Sequence, residues 1–120
     1  MIRVIADAGK NRLVFELSGS PTNEEADSAE RELRSGLTRL RPPIDLMADV
    51  SQLDSLELIL PVTFERMNAL LQGVVIRKVV RVVGRSTEGA RQLQRMMRSF
   101  GHAAHLAFSR DEAETVLSQR

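Results

Sequence analysis

The sequence predicts a single α/β domain over residues 1–120, with a mixed, mostly parallel sheet in the order β-β-α-β-α-β-α-β-α. Three observations carry that expectation. Short β-branched and apolar runs alternate with stretches whose apolar residues recur every three or four positions. Gly, Pro and capping residues punctuate the changes of pattern. Only the first two runs are joined by a tight Gly/Asn turn, so an antiparallel hairpin opens a chain whose later strands alternate with helices.

Residues 2–8 are rich in β-formers and break at Gly9-Lys10-Asn11, after which Leu13, Phe15 and Leu17 alternate with polar or smaller residues up to Gly19. Two such strands on a tight turn make a hairpin. Ser20-Pro21 ends it. Thr22 with Glu25 is a capping box, in which the Thr hydroxyl accepts from the third helical amide and the Glu carboxylate reaches back. Ala26, Ala29, Leu33, Leu37 and Leu40 follow at helical spacing until Pro42-Pro43 stops the hydrogen-bond ladder. Residues 44–50 form a third strand, with Leu46, Met47, Ala48 and Val50 too continuously apolar to be half-exposed. Residues 52–59 read either as a loop or as a first helical turn capped by Asp54 with Glu57.

Pro61 suits the first position of the next helix, whose inner face is Phe64, Met67, Leu70, Leu71 and Val74, with Gly73 at its frayed end. Val79, Val80, Val82 and Val83 make a strand buried on both faces. Residues 84–89 are a loop, and a third helix follows with Leu93, Met96, Met97 and Phe100 inward and Gly101 as its cap. Residues 103–108 form the last strand. Ser109 with Glu112 repeats the capping box before a helix carrying Ala113, Val116 and Leu117.

Composition removes several function classes. The chain is 42% hydrophobic and 28% charged, a globular balance that argues against disorder. It has no cysteine, which excludes disulfides, thiolate metal sites and cysteine nucleophiles. No apolar run reaches the roughly 18 residues of a membrane helix, and the first residues lack a signal peptide's layout, so a soluble cytoplasmic protein without an integral membrane segment is expected. The formal charge is +1, yet residues 1–60 carry −4 and residues 61–120 carry +5. The most acidic stretch is 24–32, and the most basic, 77–98, sets seven basic residues against Glu88 alone. Such asymmetry marks either a docking face or two solvated surfaces. The four Phe are the only aromatic residues, and no helix-turn-helix spacing occurs, so nucleic acid is not an expected partner.

Candidate chemistry is sparse. Residues 84–89, between a buried strand and a helix, have the GxxxxG spacing of a phosphate loop, but Ala90-Arg91 stands where Lys-Ser/Thr should follow. A plain helix-entry loop is the expectation there. His102 and His105 are three apart on a strand and so project to opposite faces, which makes no metal pair. Asp45 and Asp49 share one side of the third strand, with Asp54 and Glu57 beyond, but no His, Lys or nucleophile is spaced to partner them. Met47, Met67, Met96 and Met97 read as core, with an interior pocket for an apolar ligand as the sharper reading. Arg91, Arg95 and Arg98 at i, i+4 and i+7 form one helix stripe, either solvated or a docking surface for an acidic protein or an anionic lipid headgroup. No catalytic set, cofactor or metal is expected.

The order of elements, and a strand ending in Asp49-Val50-Ser51-Gln52-Leu53 before a helix, resemble the STAS domain of anti-sigma-factor antagonists. Relatives that combine STAS-like and CRAL-TRIO-like features look closer still. Gly19-Ser20-Pro21-Thr22, the run 79–84 and the closing 108–113 with Leu117 add to the likeness. That family carries a phosphorylatable serine in an Asp-Ser-Ser-Gly segment. Here an ungapped alignment puts the site on 57–59, which has no hydroxyl. A three-residue deletion brings Asp54-Ser55 into place, followed by Leu56-Glu57 instead of Ser-Gly. Ser55 is therefore the candidate phosphosite, against a plain role as a turn or capping residue.

The resemblance implies a non-catalytic regulatory module acting by protein–protein contact, its surface around the loop after the third strand and the helix behind it. Ser51, Asp54, Ser55 and Glu57 come first as partner-binding residues, and the basic face of Arg81, Arg85, Arg91 and Arg95 second. Two alternatives stay open. One is a carrier of a small apolar ligand or lipid, and the other a self-associating structural domain that forms a homo-oligomer.

Overall fold

The opening hairpin forms where the alternation of apolar residues places it, and its turn is held by side chains rather than by glycine. The computed structural model describes residues 1–84, 88–98 and 104–119, the side chains of 96–98 excepted. β1 (Ile2–Asp7) pairs antiparallel with β2 (Arg12–Gly19), Ile2 opposite Leu17 and Asp7 opposite Arg12. Asn11, at φ +52°, closes the turn. Its amide donates to the carbonyls of Arg41 (2.6 Å) and Pro43 (3.0 Å), and its Oδ1 accepts from the Arg41 amide (2.8 Å). The turn is thus tied to the start of the third strand.

α1 (Asn23–Leu37) starts at Thr22 with both halves of its capping box in place. β3 (Ile44–Leu53), α2 (Pro61–Gln72), β4 (Ile76–Val82), α3 (Glu88–Arg98), β5 (His105–Ala107) and α4 (Arg110–Ser118) follow. Among the described residues the strands form one five-stranded sheet in chain order, β2 to β5 parallel and β1 an antiparallel edge. Right-handed crossovers that always step the same way put their helices on one face. Leu13, Phe15, Leu46, Val50 and Val79 accordingly pack with Ala26 and Leu33 of α1, Phe64 and Leu71 of α2, and Leu93 of α3. The alternate positions Val14, Met47, Val80 and Val82 pack under α4 through Ala113 and Leu117.

Three expected boundaries move. The third strand runs on to Leu53 because its pairing with β2 resumes after a register shift, Ser18 opposite Gln52 and Gly19 opposite Leu53. The fourth strand stops at Val82, before Val83. The last strand shortens to His105–Ala107, and the expected Ala103, His102, Phe100 and Gly101 lie outside the described residues. Among the described residues no helix is long and apolar enough to cross a membrane.

Candidate functional site

Residues 54–60 connect β3 to α2 at the end of the sheet where the parallel strands finish, and three other elements hold them. The Gly19 carbonyl accepts from the amides of Asp54 (2.8 Å) and Ser55 (3.3 Å). The Asp54 carbonyl accepts from the Gly89 amide (2.8 Å), and Gln92 Oε1 accepts from the Leu56 amide (2.7 Å), which joins the loop to α3. A Cβ on Gly89 would lie 2.6 Å from Leu53 Cγ and 2.9 Å from the Asp54 carbonyl carbon, so only glycine lets α3 approach this closely. At the far end Asn23 Oδ1 accepts from the Leu60 amide (3.0 Å) and the Thr63 hydroxyl (2.9 Å), so the first residue of α1 serves the entry of α2.

Held this way, the loop and the first turn of α2 set three large apolar side chains outward. Leu58, Leu60 and Val62 are 52%, 55% and 50% exposed, while Ile59 between the first two is buried. Beside them runs a groove of about 370 Å³ lined by apolar Leu56, Ile59, Pro61 and Phe64 and by Glu57, Gln92 and Arg95. Glu57 and Arg95, expected on two separate surfaces, therefore share one groove.

The other expected residues are distributed less simply. Asp54 and Glu57 are exposed. Ser55 is half-buried, and its Oγ accepts from the Glu57 amide (3.2 Å), a local turn bond. Since α2 begins only at Pro61, Ser55 lies six residues before that helix and not at its N-terminus, where a phosphate is electrostatically favoured. Ser51 is half-buried in β3 and donates its hydroxyl to Asp49 Oδ1 (2.7 Å). It packs against Gly84, whose φ of +49° and 2.9 Å virtual Cβ contact with Ser51 exclude a side chain there.

Arg91 and Arg95 are exposed, with Glu88 between them, at 3.2 Å from each. Hydrogen bonds from Arg95 and then Arg91 hold the Glu88 carboxyl below its usual range, so part of this stripe's charge is neutralised. Arg81 requires a correction. It is 5% exposed, on the same sheet face as Val79, and belongs to the interior beneath the helices rather than to a basic surface. Period-two alternation from Val79 was the signal available for it. Arg85 and the side chain of Arg98 lie outside the described residues.

The acidic stretch is also partly consumed by the fold. Asp27 and Glu30 bind Arg66 of α2 at 3.0 and 2.9 Å, and Glu25 serves the capping box and the terminal amine. The carboxylates of β3 do not converge on Asp54 and Glu57. Asp45 pairs with Arg77 (2.7 Å) and Asp49 with Ser51 and Arg110, on the α4 side of the sheet. Among the described residues no three His, Asp or Glu side chains are grouped to hold a metal ion. No family model matches the chain, and no curated protein matches it.

Leu58, Leu60, Val62, Gln92 and Asn23 were not among the expected site residues. Leu58, Leu60 and Val62 left a trace in the sequence, an apolar residue at every second position from the loop into the start of α2.

Proposed function

We propose that this chain is a non-catalytic docking module whose partner is a protein bound at the β3–α2 loop and the adjoining face of α3. The observation that carries the reading is the exposed trio Leu58, Leu60 and Val62 beside a groove whose lining includes Glu57 and Arg95. Apolar side chains at the centre and charges beside them are the composition of a surface that desolvates on contact. The STAS likeness of the sequence independently favours the same loop and a regulatory role. A loop tied to Gly19, Gly89, Gln92 and Asn23 loses little freedom on binding, which helps affinity.

The test is capture of a stoichiometric protein partner by the tagged chain, with Leu58→Glu/Val62→Glu and Arg95→Glu in parallel. Both variants are expected to fold with unchanged circular dichroism and to lose the partner. Undiminished capture by the folded Leu58→Glu/Val62→Glu variant would refute the assignment.

A further inference from the structure

β1 is the antiparallel edge of the sheet, and among the described residues no strand pairs with its outer side. The Met1 amine donates to the Ser18 carbonyl (2.7 Å) and the Ser18 amide to the Met1 carbonyl (2.9 Å), so these two residues exchange both bonds. Antiparallel bonding alternates from there: Arg3, Ile5 and Asp7 turn their backbone groups to β2, while Ile2, Val4 and Ala6 turn theirs outward. An edge of this kind is a template for one more strand.

The side chains around that edge carry both signs of charge. Ile2, Val4 and Ala6 pack into the core on the α1 side. Arg3, Ile5 and Asp7 stand on the other face, opposite Glu16, Val14 and Arg12 of β2, and Ile5 is 36% exposed. Between β1 and α1 lies a groove of about 410 Å³, lined by Val4 and Ile5 and by Glu32, Ser35 and Arg39 of α1 and its end. Glu32 and Arg39 are exposed, and among the described residues neither is in an ion pair. A Cβ on Gly36 would lie 3.2 Å from Ala6 Cβ, which sets this part of α1 level with the second half of β1.

We infer that β1 pairs antiparallel with β1 of a second copy of this chain, about a two-fold axis at Ile5. In a symmetric antiparallel pair, residues that bond outward must face residues that bond outward, so the axis falls on a residue and that residue fixes the register. An axis on Arg3 or Asp7 would oppose like charges directly, which destabilises. An axis on Ile5 sets Arg3 opposite Asp7 of the second copy at both ends, and no other axis does so. Val4 and Ala6 then exchange backbone bonds with Ala6 and Val4 of the second copy. One row reads Glu16 and Arg3 from one copy, then Asp7 and Arg12 from the other, alternating in sign across four strands. The same axis passes beside Ser35, so Glu32 of each α1 is turned toward Arg39 of the other. Many extended peptides can add to an open edge, but charges that are self-complementary on strand and helix about one axis single out a second copy. The inference does not rest on the docking reading, since the groove at β1 and the groove at the β3–α2 loop share no residue.

The chain has no cysteine, so Ile5→Cys places its one thiol on the axis. Facing Cα atoms of such a pair lie about 4.5 Å apart, within reach of a disulfide. Light scattering of the intact chain should give twice the mass of one copy. Mild oxidation should cross-link Ile5→Cys into a covalent dimer and leave Leu58→Cys uncoupled. Glu32→Arg and Arg39→Glu should each weaken the dimer at least about tenfold. An equal mixture of the two should restore it, because each then supplies the charge the other lacks. The mass of one copy at every concentration up to about 0.5 mM would overturn the inference. A dimer that ignores both charge reversals would also overturn it, as would one that cross-links through Leu58→Cys and not through Ile5→Cys. Were Ile5→Cys to misfold, the mixing experiment decides alone, and a mixture no more dimeric than its components would end the proposal.

Discussion

Arg12 sits on the α4 side of the sheet, 6% exposed, and donates from Nη1 to both carboxylate oxygens of Glu114 at 2.7 Å. Its Nε has no partner, so the bonds to Glu114 are what hold this guanidinium. Glu114→Gln should therefore destabilise the chain by about 1–2 kcal/mol, since it leaves the buried charge in place and removes its counter-ion. Arg12→Met should cost less, because it removes the charge itself and leaves Glu114 partly solvated. Urea unfolding of the two variants checks that order, and the reverse order would contradict it.

A pH dependence follows from three carboxyl groups. A hydrogen bond from Arg12 holds Glu114 below the usual carboxylate range, Arg95 and Arg91 do so for Glu88, and the Thr22 amide with the terminal amine does so for Glu25. With folded values below the unfolded ones, their contribution is complete above the ordinary carboxylate pKa of about 4.3 and is lost as pH falls through the folded values. The thermal midpoint should hold near neutrality and fall below about pH 5, less steeply in Glu114→Gln. A midpoint flat down to pH 3 would contradict this. Arg81 shows what residue-level reading misses: seven basic residues in one stretch looked like a surface, while the alternation of β4 turns this one inward.

At the scale of elements, the contact between α3 and the end of β3 depends on one missing side chain. Gly89→Ala would set a methyl group 2.9 Å from the Asp54 carbonyl carbon, which belongs to backbone and cannot swing aside. The helix must shift, at a cost of about 1–3 kcal/mol by analogy with overpacked cores. The bonds from Gly89 to Asp54 and from Leu56 to Gln92 lie at that joint, so amide shifts at Leu56 and Gln92 should change together. Their joint persistence with unaltered stability would contradict the role of Gly89. Most elements were legible because their signals are local: the Thr22 capping box, Pro61 at a helix start, and the apolar spacing of α1. The bonds that hold the entry of α2 were not, because their acceptor is Asn23, at distances of 37 and 40 positions in the chain. No short pattern encodes a bond of that span. The extension of β3 to Leu53 was hidden for the same reason, since it depends on pairing with β2.

At the scale of the whole molecule, the charge asymmetry between the two halves is spent partly inside the fold. Arg66 joins the acidic face of α1 to α2, while Arg12, Arg77 and Arg110 fasten α4 and the strands beneath it. What stands outward at the end of the sheet is an apolar trio with Glu57 and Arg95 beside it, and the sequence pointed to that loop through Asp54, Ser55 and Glu57 without showing its apolar character. The most direct measurement is site-specific photo-crosslinking in cells, with the crosslinker placed in turn at Leu58, Leu60 and, as a control, Val75. Val75 is 66% exposed and precedes β4, away from the loop. A docking module of this kind should give one shared protein adduct from Leu58 and Leu60 and none from Val75, with the adduct lost in Arg95→Glu. Adducts from Val75 alone, or the same adducts from all three positions, would contradict it.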